Sequence, residues 1–103
     1  MSISERLRQR IAALRVDYVA TFQEELAGLD AAWAHYEATG SAALLIERGH
    51  RLAGTAGSYA LHEVYRCAQA LEALGPKGER ALLMEATDAL RGALQNARAT
   101  DPG

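Results

Sequence analysis

At 103 residues, half of them apolar, the chain has the length of one domain and enough apolar side chains to bury a core without disulfides or metals to staple it. Its formal net charge of −2, from 13 acidic and 11 basic residues dispersed along the sequence, excludes the basic stripe a nucleic-acid partner needs. No stretch approaches the roughly 20 apolar residues of a membrane span, and Glu5, Arg6, Arg8 and Arg10 interrupt any signal-peptide apolar region, so a cytoplasmic chain with no membrane partner is expected.

The composition is rich in Ala and Leu with only two prolines and few β-branched runs, which favours helices throughout. From the N-terminus, Ile3, Leu7, Ile11, Leu14, Tyr18, Phe22, Leu26, Leu29, Trp33 and Tyr36 recur at spacings of three and four. That periodicity predicts one long helix, or two nearly collinear ones, over 3–38, with Ser2 or Ser4 as N-cap. Thr39-Gly40-Ser41 has the turn chemistry to end it and start a second helix over 41–58. After a tight turn near Tyr59-Ala60, the residues Leu61, Val64, Tyr65, Ala68, Leu71 and Leu74 predict a third helix over 61–74. Gly75-Pro76-Lys77-Gly78 breaks it. A fourth follows over 79–97, with Leu83, Ala86, Leu90, Leu94 and Ala97 on one face and a frayed tail from Thr100 onward. Short connections imply antiparallel neighbours, so the expected fold is all-α, a single domain over 1–103 built as an up-and-down four-helix bundle with a long or broken N-terminal helix. No exposed apolar stripe is evident, which reads as a monomer. The start at Met1 and the short tail read as a free-standing protein rather than a module of a larger kinase.

The second helix carries Ile46-Glu47-Arg48-Gly49-His50-Arg51-Leu52-Ala53-Gly54-Thr55-Ala56-Gly57-Ser58-Tyr59. Its glycines need a reason, because each costs up to about 1 kcal/mol relative to alanine inside a helix. Leu45, Gly49, Leu52, Ala56 and Tyr59 cluster as the core face, and His50 lies roughly 140° away, toward solvent. Gly54 is one turn beyond His50, and Gly57 and Ser58 one turn further, so the imidazole stands beside a surface with little side-chain bulk. A neutral imidazole supplies a nucleophilic nitrogen near pH 7, and an accessible ring suits in-line phosphoryl transfer, where positioning matters more than covalent help from the protein.

The run His50-Arg51-Leu52-Ala53-Gly54-Thr55-Ala56-Gly57-Ser58 strongly resembles the phosphoacceptor helix of histidine-containing phosphotransfer (HPt) domains, and the Ala70-Leu71-Glu72 run and the four-helix layout also look like that family. The resemblance implies that His50 is phosphorylated, through the outer ring nitrogen Nε2, that Gly54 leaves room beside the ring, and that Gly57 and Ser58 let a partner approach. Ile46 and Ala53 are expected near the centre of the docking surface. Two positions depart from the family pattern: Ala53 stands where a lysine is usual, and Ala60 where a glycine commonly ends the helix. Arg51, and less directly Arg48, are candidates to supply the missing charge by bending back along the helix.

The remaining polar residues read as structural. His35 and His62 lack a comparable setting, Cys67 sits in an apolar helical pattern, and no metal-ligand spacing joins them. Glu24, Glu25, Asp30 and Glu37 fit a solvated helix face. No Gly-rich loop follows a strand to hold ATP, so a phosphoryl group on His50 must come from another protein. The implied function is a phosphorelay intermediate rather than an enzyme, taking the group from a receiver-domain aspartate or a histidine kinase and passing it to a response regulator. The implied partners are a response-regulator receiver domain and a sensor histidine kinase of hybrid type; no cofactor is expected on this chain, with Mg²⁺ held by the receiver. The rival reading is a helical adaptor, a degenerate HPt domain that binds a partner without phosphotransfer.

Overall fold

The computed structural model describes residues 2–100, and among these the secondary structure is entirely helical. The elements are α1 (Ile3–Ala20), α2 (Phe22–Thr39), α3 (Ala43–Ala56), a single 3₁₀ turn (Gly57–Tyr59), α4 (His62–Leu74) and α5 (Arg80–Thr100). Of the predicted tail, Thr100 is the last residue of α5, and 101–103 lie outside the described residues.

The start of α1 is capped as the sequence suggests: the Ser2 hydroxyl accepts the Glu5 backbone N–H at 3.1 Å, whereas Ser4 lies inside the helix. The long first element is broken once, at Thr21. There both the backbone N–H (3.0 Å) and the hydroxyl (2.6 Å) of Thr21 donate to the Tyr18 carbonyl, and this local back-bonding interrupts the ladder without redirecting the chain. Thirty-seven residues of helix span about 55 Å at 1.5 Å each, and the molecule is 54 Å long, so α1 and α2 run nearly collinear along the whole long axis. Gly40 ends α2 in the left-handed conformation (φ 77°), its N–H bonded to the Tyr36 carbonyl at 2.7 Å.

The four helices α2 to α5 form a ring of contacts, α2 against α3 and α5, and α4 against α3 and α5. Each contributes the side chains predicted for its core face: Phe22 and Leu29 from α2, Leu45, Leu52 and Ala56 from α3, Val64, Ala68 and Leu71 from α4, Leu83, Leu90 and Leu94 from α5. Burial of this apolar surface is the main driving force of the fold.

The first half of the predicted N-terminal stripe departs from expectation. Val19 is the one buried residue of α1, while Ile3 (74%), Leu7 (53%), Ile11 (46%) and Leu14 (39%) are exposed. The reason is length: α5, at 21 residues, reaches only about 31 Å, so the outer turns of α1 extend past the bundle with nothing to pack against.

Candidate functional site

The site is organised by Gly49. On the buried face of α3, this residue has no side chain, and a Cβ there would come within 2.9 Å of the Ala68 carbonyl oxygen and 3.2 Å of the Glu72 nitrogen. Helix α4 therefore lies directly against the backbone of α3, which places Glu72 beside His50.

The His50 ring is 76% exposed, and its Nδ1 is 3.1 Å from Glu72 Oε2. A carboxylate only accepts hydrogen bonds, so the proton resides on Nδ1 and is donated to Glu72. The lone pair is then on Nε2 of the exposed ring. A second ring nitrogen held this way fixes both tautomer and orientation. Sequence reasoning missed this role for Glu72. Only its membership of the Ala70-Leu71-Glu72 run stood out, because a contact between helices leaves no periodic trace along the chain.

Around the ring, a Cβ on Gly54 would meet nothing within 4 Å, so the space expected there exists. Gly57 and Ser58 are exposed and lie in the 3₁₀ turn rather than in α3 itself; a Cβ on Gly57 would touch the Tyr65 ring at 3.3 Å, so its bareness also seats that ring. Ile46 is half-buried against the core. Ala53 is not on the outward face: it is 9% exposed and belongs to the core, because α3 is flanked by both α2 and α4 and buries a wider arc than a single stripe.

The two arginines turn away from His50. Arg48 crosses α2 over the bare Cα of Gly28, where a Cβ would collide with its guanidinium, and pairs with Glu25 at 3.2 Å. Arg51, expected to bend back toward the imidazole, instead lies 3.8 Å from the same carboxylate. Glu25 draws both to the α2 side, so among the described residues the charged partner of His50 is Glu72 alone. Near Arg51 the Tyr18 hydroxyl donates to Thr55 Oγ1 at 2.9 Å, and Thr55 donates to the Arg51 carbonyl at 2.8 Å. Burial, opposed by that hydrogen bond, pushes the Tyr18 phenol above its ordinary 10.

His35 and His62 are exposed, and no group of three metal-ligating side chains occurs among the described residues. Cys67 is half-buried; burial, then Glu63, raises its thiol pKa, which disfavours the nucleophilic thiolate. No helix is long and apolar enough to cross a membrane among the described residues.

A family model described as the Hpt domain matches residues 13–100, most of the chain and all of the site. The chain belongs to the Hpt domain family. No curated protein and no solved structure gives a significant match. Hpt domains are phosphotransfer intermediates in two-component phosphorelays, not kinases, and they interact there with receiver domains and histidine kinases. Placed in this Hpt domain, His50 is the exposed histidine whose second nitrogen is already engaged, beside a glycine whose flank is empty.

Proposed function

We propose that this Hpt domain is a phosphorelay intermediate whose phosphoacceptor is His50 Nε2. The observation that carries the reading is the Nδ1–Glu72 hydrogen bond at 3.1 Å on a ring that is 76% exposed. The Nε2 lone pair attacks the phosphorus of a receiver's aspartyl phosphate; the N–P bond forms, the P–O bond to aspartate breaks, and the aspartate leaves as its carboxylate. Positive charge develops on the imidazole during attack, and the Glu72 carboxylate on Nδ1–H stabilises it where it appears. Transfer to the next receiver is the reverse exchange. With Ala53 in place of a lysine and Arg48 and Arg51 held by Glu25, the cation that balances the phosphoryl charge comes from the partner, as Mg²⁺ in a receiver's acidic pocket.

In this reading the chain needs no cofactor of its own and is a substrate of its partners rather than an enzyme. It works as a cytoplasmic monomer, a single up-and-down bundle of α2 to α5, between a hybrid sensor kinase and a response regulator. Receivers dock on the surface around Gly54, Gly57 and Ser58, with Ile46 at its edge.

The test is transfer from a panel of radiolabelled, phosphorylated receiver domains to wild type and to His50→Gln. Label that appears on wild type only, and is acid-labile but stable to base, is the expected result. If no receiver transfers although several bind, and His50→Gln binds them equally, the domain is a helical adaptor and the relay reading fails.

A further inference from the structure

The outer half of α1 is a built surface that the phosphoacceptor site does not use. Residues 3–12 precede the span matched by the family, and with Leu14 they extend beyond the bundle. At about 100° per residue, Ile3, Leu7, Ile11 and Leu14 fall within an arc of about 80°; Arg6 and Arg10 run along one edge of it and Arg8 along the other. Five arginines of the bundle are matched to carboxylates, Arg48 and Arg51 to Glu25, Arg66 to Glu63, Arg80 to Glu37, and Arg91 to Asp30 and Asp88, whereas Arg98 near the end of α5 is exposed without one among the described residues. Arg6, Arg8 and Arg10 are exposed and have no carboxylate partner among the described residues. Where the stripe meets the bundle it opens into a groove of about 350 Å³ between α1 and the 3₁₀ turn, lined by Arg8, Ile11, Val16, Ser58, Tyr59 and Ala60, so that only its far wall, at Ser58, borders the proposed receiver-docking surface.

We propose that this segment of α1 is a docking helix for an acidic amphipathic helix of a partner protein. The partner's apolar side chains cover Ile3, Leu7, Ile11 and Leu14, and its flanking carboxylates pair with Arg6, Arg8 and Arg10. The four-then-three spacing of Leu7, Ile11 and Leu14 is that of a helix-pairing seam, with the arginines at the flanking positions that set partner choice. A second copy of this chain fits poorly, because stripe-to-stripe pairing in either direction brings arginine edge against arginine edge. A lipid surface fits less well than a helix, since residues 2–17 contain no aromatic residue to seat at a membrane interface.

The probe is a fluorescent helical peptide with leucine at the seam and glutamate at the flanking positions, titrated into the full chain; a version with lysine replacing glutamate is the control. The glutamate peptide is expected to bind and to weaken as salt is raised. The lysine version, Leu7→Asp and the triple Arg6→Glu/Arg8→Glu/Arg10→Glu variant are each expected to lose at least about tenfold in affinity, with helix content unchanged by circular dichroism. Failure of the glutamate peptide to bind, or equal binding by Leu7→Asp, overturns the proposal. So does a dimer seen by light scattering that Leu7→Asp dissolves, which assigns the stripe to a second copy, or co-sedimentation with phosphatidylglycerol vesicles without peptide binding, which assigns it to lipid. His50→Gln is expected to bind the peptide as wild type does, so this result stands apart from the outcome of the phosphotransfer test.

Discussion

At the scale of single residues, the proposed chemistry rests on what surrounds one imidazole. In the proposed transfer Glu72 fixes which nitrogen attacks and meets the charge that develops on the ring, so Glu72→Ala is expected to slow phosphoryl transfer to His50 roughly tenfold, the equivalent of one hydrogen bond to a charged group at a partly exposed site. Glu72→Gln keeps an acceptor for Nδ1–H and is expected to recover part of that loss; single-turnover transfer rates from a phosphorylated receiver check both. Gly54→Leu is expected to leave the melting temperature close to wild type, since a Cβ at this exposed position meets nothing within 4 Å, while abolishing transfer by filling the approach to the ring. The outward placement of His50 and the open flank of Gly54 were legible in the sequence because their signal is local: an outward histidine followed one turn later by a glycine that helix propensity alone disfavours. Glu72 was not, because its role depends on the closeness of two helices. Nor was the fate of Arg48 and Arg51, which is decided by Glu25 on a third helix and by the bare Cα of Gly28 that lets Arg48 through.

At the scale of elements, the turn that follows the helix carrying His50 is under strain. Ala60 holds φ 57° and ψ 31°, a left-handed conformation that costs a non-glycine residue about 1–2 kcal/mol. The sequence reading anticipated trouble here, because alanine replaces the glycine that commonly ends this helix. The hydrogen bond from Leu61 N–H to the Ala56 carbonyl (3.1 Å) and the burial of Leu61 keep the turn closed despite it. Ala60→Gly removes the Cβ clash and gives back part of the gain as unfolded-state entropy, so a net stabilisation of about 0.5–1 kcal/mol, read as a shifted denaturant midpoint at unchanged slope, is expected. Helix existence and order were otherwise readable from periodicity, with boundaries moved by at most three residues, and core faces were readable from α2 onward except at Ala53. The exceptions are the break at Thr21, which turns on one hydroxyl, and the 3₁₀ turn, which the period of an α-helix does not encode.

At the scale of the whole molecule, the long axis is fastened to the bundle at one end of α3. Tyr18 stacks on Tyr59 at 5.0 Å, meets Phe22 edge-on at the same distance, and donates to Thr55, which ties the joint between α1 and α2 to the end of α3. Because the folded protein holds the Tyr18 proton more tightly than the unfolded chain, this contribution is fully present below pH 10 and is lost as pH rises through the raised folded value. Melting temperature is therefore expected to fall more steeply above pH 10 for wild type than for Tyr18→Phe. The overhang of α1 was not legible in the sequence, since a periodic stripe reports which face of a helix is apolar but not whether a neighbour is long enough to cover it. That overhang has a mechanical consequence. The fifteen residues of α1 before Tyr18 make a helical arm of about 22 Å that is clamped at its base by Tyr18 on Tyr59 and Thr55, so a sideways load at the tip acts as on a lever and is delivered to the end of α3, the helix that carries His50.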